Sequence, residues 1–132
     1  MRAETNPVEL GTVSLLRGQD FAVQSHVVSK ETKPIVPMGA HDPALIEIDG
    51  NDVSGRISVK AGSIINDGII ATLEFSKLFR SKARVLLTAA NHHASTIPIF
   101  VESSEQKFSI HTTTITSGRL EQDSVWNYFV IE

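Results

Sequence analysis

Apolar and polar residues alternate in short segments from Ala44 to the end of the chain. Ile46 and Ile48 fall on one side of an extended segment, while Glu47 and Asp49 fall on the other. The same alternation returns in later segments, which are 57–59, 69–75, 85–89, 97–101, 108–110 and 125–131. A period of two residues is typical of a β-strand with one buried face. No stretch keeps a convincing helical period, and only 76–81 and 91–95 could form single helical turns.

Turn-forming residues separate these segments. The clusters Asp49-Gly50-Asn51-Asp52 and Asn66-Asp67-Gly68 contain residues that tolerate the positive φ of tight reversals. The chain therefore has about eight or nine short strands at roughly ten-residue spacing, as in antiparallel sandwiches. We expect an all-β protein, an antiparallel β-sandwich that is jelly-roll-like.

The first 43 residues are organised differently. Residues 1–12 are polar and predict an arm, residues 21–28 predict a first strand, and residues 30–43 contain three prolines that predict a loop or an irregular edge. We therefore divide the chain into residues 1–43, with the arm, first strand and proline-rich connection, and a sandwich domain at 44–132.

The last segment is apolar on both faces. One face carries Val125, Asn127, Phe129 and Ile131, and the other carries Trp126, Tyr128 and Val130. One face should line the sandwich while the other meets a neighbouring subunit, which predicts a homo-oligomer, most simply a trimer. We expect the face with Trp126, Tyr128 and Val130 to form a core layer, a subunit interface or a platform that stacks on a sugar.

Composition excludes several classes of protein. A chain of 132 residues suits one domain, and the absence of cysteine excludes disulfides and thiolate metal sites. The formal net charge of −3 comes from scattered charges, so no basic stripe predicts nucleic-acid binding. No apolar run predicts membrane insertion, and the first six residues do not resemble a signal peptide.

Candidate metal ligands and catalytic groups have simpler explanations. His92-His93, together with His26, His41 and His111, suits a metal only if the pair lies in a turn, and exposed loop histidines are the commoner case. The acids Asp49, Asp52 and Asp67 lie beside glycines, where they more often cap turns than bind Ca²⁺. Ser109 and His111 share a strand face, but no nucleophile or phosphate-loop motif is present. We predict no metal, no cofactor and no enzymatic activity.

The order of motifs resembles a known group of domains. The run Ile48–Val59, the strand Gly68–Ser76, the segment Ala83–Asn91 and the closing Phe108–Ile110 and Trp126–Ile131 follow in sequence. Together they resemble the C-terminal β-rich head or tip domain of bacteriophage tail-fibre and receptor-binding proteins. The resemblance covers about residues 44–132, and Lys82-Ala83 stands where that pattern has a proline. It implies a trimeric, particle-distal module that attaches a virion to host surface polysaccharide.

Receptor contacts are predicted on loops at an end of the sandwich, because rigid strands hold variable loops there. The first candidates are the loop residues Asn91, His92, His93, Ser95 and Thr96, and the next are Arg80 and Arg84 of the one basic cluster. Two alternatives remain open. One is a capsid or tail decoration protein that docks other virion proteins through its N-terminal arm, and the other is a polysaccharide-degrading enzyme.

Overall fold

Two antiparallel sheets pack face to face in a computed structural model that describes residues 33–37 and 42–132. The strands are β1 Ile46–Gly50, β2 Ser54–Val59, β3 Ile64–Asn66, β4 Ile69–Glu74, β5 Arg84–Ala89, β6 Ile99–Ser103, β7 Lys107–Thr112, β8 Ser117–Arg119 and β9 Ser124–Ile131. A short 3-10 turn at Pro43–Leu45 leads into β1, and one helical turn, α1 at His92–Ser95, follows β5. The predicted all-β antiparallel sandwich is confirmed.

The strand order brings distant parts of the sequence together. The first sheet has the order β1-β2-β9-β5, and the second has the order β6-β7-β4-β3-β8. The last strand, β9, lies between β2 and β5, while β7 lies between β4 and β6. The chain therefore wraps back and forth between the sheets, which is the jelly-roll-like arrangement expected from many short strands.

The core lies between the sheets and is built by the predicted alternation. Its largest fully buried side chains include Ile57, Leu73, Phe108 and Trp126. Burying an aliphatic or phenyl side chain contributes roughly 1.5–3 kcal/mol, so the alternating positions hold the sheets together. Ile70 breaks the alternation, because the β4–β7 register shifts between Ile69 and Ala71 and both Ile70 and Ala71 become buried.

The sandwich has two ends that matter for function. We call the end with the β1–β2 connection, residues 51–53, the turn end, and the end with α1 the helix end. Arg84 of β5 lies toward the turn end, and Ala89 of the same strand leads into α1 at the helix end.

Some of the turns predicted from the sequence are present in the structure, and one is not. The predicted helical turn at 91–95 is confirmed as α1, and Asp67 and Gly68 take the positive φ values of 53° and 77° expected of a tight β3–β4 reversal. The helical turn predicted at 76–81 is wrong. Backbone groups of this loop bond to distant segments instead of to each other. Ser76 N–H donates to the carboxylate of Asp52, and Phe79 N–H donates to the carbonyl of Glu105.

Residues before β1 are described only in part. Ile35 exchanges two backbone hydrogen bonds with Glu74 at the end of β4, which fits the irregular edge predicted for this stretch. The predicted arm at 1–12, the predicted strand at 21–28, and His26 and His41 lie outside the described residues.

Candidate functional site

The α1 loop is held to the sandwich by Asn91. Its side-chain Oδ1 accepts from the backbone N–H of Ala94 at 2.9 Å, which caps the helix, and its Nδ2 donates to the carbonyl of Asp123 at 3.0 Å. The same Oδ1 lies 3.3 Å from the backbone nitrogen of Val125, a second donor. Asn91 was predicted to contact a receptor, but these bonds give it a structural role.

His93 is fixed by a second bond to the last strand. Its Nδ1 and the hydroxyl oxygen of Ser124 lie 2.6 Å apart and share a hydrogen bond. Ser124 is fully buried, so its hydroxyl is closed to a substrate and acts by orienting the imidazole. With Nδ1 engaged, Nε2 is the ring nitrogen left for a ligand.

His93 lines a polar groove at the helix end. The groove has a volume of about 450 Å³. Its walls are polar side chains from α1 and from the chain around β8, namely His93, Thr114, Thr116, Ser117, Arg119 and Glu121, with Ile115. We call this the helix-end groove. It joins a loop predicted to bind a receptor to a second segment that lies about twenty residues further along the chain.

The chemistry of the helix-end groove suits a ligand rich in hydroxyl groups. Arg119 offers a planar fork of donors, Glu121 offers acceptors, and the threonine and serine hydroxyls do both. Arg119 and Glu121 are exposed, while His93 is half-buried. A sugar presents alternating donors and acceptors, which this set of groups can match. The groove has no aromatic wall apart from the imidazole.

The other predicted loop residues are not brought into this groove. The hydroxyls of Ser95 and Thr96 donate to the carbonyls of His92 and His93, both at 2.6 Å, so they close the helical turn. His92 is exposed beside it. Arg80 and Arg84 are exposed near the opposite, turn end of the sandwich, so they cannot share one site with the α1 loop.

The interface and stacking roles predicted for the last strand are wrong for Trp126, Tyr128 and Val130. All three side chains are buried in the core of a single chain. The reason is that β9 is an inner strand of its sheet, and this face points at the opposite sheet. Of the alternatives, the core layer is therefore the one that the structure bears out. The exposed apolar face is the other one, where Phe129 and Ile131 are 47% and 40% exposed.

Asp52 organises a buried polar cluster at the turn end. Its carboxylate is fully buried and accepts from the backbone N–H of Ser76 at 2.9 Å, from the Ser76 hydroxyl at 2.8 Å and from the Lys77 N–H at 3.3 Å. Capping of the β1–β2 turn falls to Asn51, whose Oδ1 accepts from the N–H groups of Val53 and Ser54. Asp52 therefore anchors a distant loop instead of capping its own turn.

Tyr128 completes this cluster. Its hydroxyl donates to the carbonyl of Asn51, and a β-carbon at Gly55 would lie 2.7 Å from the hydroxyl oxygen, so only glycine fits there. Burial of the phenol, followed by the negative charges of Asp52 and Asp49, raises the pKa of Tyr128 well above its usual value of 10.0. The phenol therefore stays protonated and keeps its bond at ordinary pH.

Where the structure describes them, the candidate metal ligands, and the pair Ser109 and His111, are not arranged as a site. Within residues 33–37 and 42–132, no group of three or more His, Asp or Glu side chains is placed to hold a metal ion. Ser109 bonds to Thr72 at 2.8 Å, whereas His111 contacts Glu102 at 3.2 Å and stacks on Phe100. Ser109 and His111 therefore have separate partners.

Arg119, Glu121 and Thr116 were missed by sequence reasoning. They lie in a stretch without clear alternation, where β8 is only three residues long. The one available signal was the run of polar residues from His111 to Thr114, followed by Ser117-Gly118-Arg119, which is typical of a loop with binding capacity. Pairing of β8 with β3 fixes that stretch, and this contact is invisible in the sequence.

Comparisons of the chain with protein-family models, curated proteins and solved structures each return no match. Among the described residues, no helix is long and apolar enough to cross a membrane.

Proposed function

We propose that this protein is a non-enzymatic attachment module, a phage tail-fibre tip or receptor-binding head that binds host surface polysaccharide through the helix-end groove. The observation that carries the proposal is the convergence of His93, Arg119 and Glu121 in one groove on a rigid sandwich. Single contacts to a saccharide are weak, and several identical heads on a virion raise the avidity without new contacts.

Bonds from Asn91 and Ser124 hold the α1 loop in place, while other side chains line the open groove. The bond between His93 and Ser124 and the cap at Asn91 fix the loop, so a ligand meets a preformed surface and loses little binding energy to ordering it. Arg119 and Glu121 are exposed, so they are free to exchange water for sugar hydroxyls.

Binding to an array of bacterial surface glycans tests this function. The unmodified protein should bind a defined subset of glycans, and Arg119→Ala should weaken that binding by about tenfold or more because it removes charged hydrogen bonds. Arg56→Ala is the matched control, since Arg56 is also exposed but lies in the middle of the first sheet. A protein that binds no glycan, or an Arg119 variant that binds like the Arg56 variant, would refute the assignment.

A second candidate function is a capsid or tail decoration protein that works by assembly. The observation in its favour is an apolar patch on the outer face of the first sheet, where Leu86 faces Phe129 across the strands and Ile131 follows on β9. Leu86 is 58% exposed, and such a patch favours a subunit contact. The N-terminal arm that would dock other virion proteins lies outside the described residues.

Light scattering distinguishes assembly through this patch from assembly elsewhere. If copies of the chain form the predicted homo-oligomer through the patch, Leu86→Arg with Phe129→Arg should give a monomer. Leu78→Arg is the control, because Leu78 is 70% exposed but lies in the loop between β4 and β5. An unmodified protein that is a monomer would rule out the oligomer.

A further inference from the structure

A second groove opens between the two sheets along the edge formed by β5 and β6. Its volume is about 540 Å³, and its lining includes Ser81, Lys82, Arg84, Val85, Val101 and Ser103. We call it the basic groove. Each of these strands is the last in its sheet, so the sandwich is open here. The groove lies toward the turn end and is separate from the helix-end groove.

The floor of the basic groove is rigid. Ala83 is buried, its carbonyl accepts from the hydroxyl of Ser103, and its N–H lies 3.4 Å from the carbonyl of Ser104. These contacts join the segment before β5 to the end of β6. Lys82 and Arg84 flank this anchored residue, so their backbones are held in place while their side chains remain exposed.

The charge of the basic groove has one sign. Lys82 and Arg84 contribute two positive charges, and no acidic residue is among its lining side chains. Within the described part of the chain neither cation forms an ion pair. The carboxylate of Glu132 accepts the backbone N–H of Ser81 at 2.7 Å, so one negative charge lies beside the groove, although Glu132 is not among its lining residues.

The edge of β5 adds a backbone donor. Ala90 N–H donates to the carbonyl of Val125 on β9, so the even-numbered residues of β5 point their amides at β9. The N–H of Val85 therefore points away from β9, toward the open edge. Lys82, Arg84 and Ser81 bring an ammonium, a guanidinium and a hydroxyl to the lining of this groove, and the Val85 amide lies at its edge. This combination of donors suits a tetrahedral oxyanion with several acceptor oxygens.

We infer that the basic groove binds the phosphate group of a sugar phosphate or of a phosphodiester-linked polymer. Phosphate suits this set better than a carboxylate because it has more acceptor oxygens to share among two cations and an amide. The helix-end groove is a poorer anion site, since Glu121 would repel the ligand. The inference goes beyond the proposed function and does not require that the helix-end groove binds a glycan.

Titration of the isotope-labelled protein, followed by amide NMR, tests this site. Inorganic phosphate and glucose 1-phosphate should both shift the amides of Lys82 to Val85 in a saturable way, while neutral glucose should leave them unchanged. Tighter binding of glucose 1-phosphate than of inorganic phosphate identifies the sugar ester as the ligand, and equal binding identifies the phosphate group alone. Acetate that binds as tightly as phosphate overturns the choice of phosphate.

Variants locate the binding. Lys82→Gln with Arg84→Gln should weaken phosphate binding by about tenfold or more, and the charge-preserving Lys82→Arg with Arg84→Lys should retain most of it. Both side chains are exposed, so these variants should fold. Arg56→Gln is the matched control and should leave phosphate binding unchanged, because Arg56 is exposed in the middle of the first sheet and lines neither groove. Shifts that persist in the Lys82→Gln, Arg84→Gln variant, or that disappear in the Arg56 variant, overturn the inference. Because Lys82 and Arg84 do not line the helix-end groove, failure of one site is distinguishable from failure of the other.

Discussion

The Asp52 cluster at the turn end and the helix-end groove use polar side chains in opposite ways. At the turn end, Asp52 is fully buried and its oxygens accept from groups of the protein itself. At the helix end, Arg119 and Glu121 are exposed and line a groove. A buried carboxylate without partners costs several kcal/mol, so the oxygens of Asp52 must find their donors within the protein. The comparison separates residues that hold the fold from residues that are available to a ligand.

The largest expected effect is at the turn end. Asp52→Ala should lower the free energy of unfolding by about 3 kcal/mol, because it leaves the loop at Ser76 and Lys77 without its acceptor. Urea unfolding followed by circular dichroism measures this loss. Asp49→Ala is the matched control, because Asp49 is exposed on the neighbouring strand, and it should change stability by less than about 0.5 kcal/mol. Equal losses for the two variants would remove the distinction between the ends.

Alkaline pH should weaken the turn end selectively. The pKa of Tyr128 is raised in the folded chain, so above pH 10, the usual value, the unfolded chain loses the phenolic proton first. The contribution of Tyr128 to the free energy of unfolding is therefore fully present below pH 10 and falls as the pH rises above it. Unfolding experiments between neutral and alkaline pH measure the slope.

Tyr128→Phe sharpens the same test. The variant should cost about 1 kcal/mol at neutral pH, the typical contribution of one hydrogen bond, and should reduce the alkaline slope. Because the chain contains one tyrosine, tyrosinate absorbance reports this group alone. A phenol that titrates at its usual pH in the folded protein would contradict the buried cluster.

A smaller effect is expected where the helix end meets the scaffold. His93→Ala removes the bond to Ser124 and should lower the free energy of unfolding by about 1 kcal/mol. It should also weaken glycan binding, since it removes one wall of the groove. His92→Ala is the control, because the side chain of His92 is exposed and is not part of the groove. Loss of stability without any change in glycan binding would make His93 purely structural.

The smallest effect on stability is expected inside the groove. Arg119→Ala should change the free energy of unfolding by less than about 0.5 kcal/mol while it weakens glycan binding. A large loss of stability would mean that Arg119 holds the fold, and the contrast between the two ends would then fail.

The sequence predicts where the strands lie better than it predicts which strands and sheets they pack against. Alternation at Ile46 and Ile48, and again at Phe108 and Ile110, is confirmed by burial because a strand face is a local property. The turn at Asp67-Gly68 is confirmed for the same reason. Alternation does not say which apolar face meets the opposite sheet. The sequence therefore leaves three roles open for Trp126, which are a core layer, a subunit interface and a stacking platform.

The candidate site was predicted only in part for a related reason. His93 was named because the α1 loop is polar, but its groove partner Arg119 depends on the pairing of β8 with β3. Likewise, nothing near Asp52 in the sequence indicates that it binds Ser76, which is 24 residues away. Such contacts come from the wrapping of the chain, which the local pattern does not encode. The trimer and the attachment to a host remain predictions.

The position of Trp126 has a practical consequence. It is the single indole of the chain, and it is sealed at the centre of the molecule, away from the lining of either groove. Its fluorescence should therefore follow collapse and opening of the interior and remain silent when a small ligand occupies the surface. The protein thus carries an internal probe of its own integrity, with which a damaged variant can be recognised without labelling.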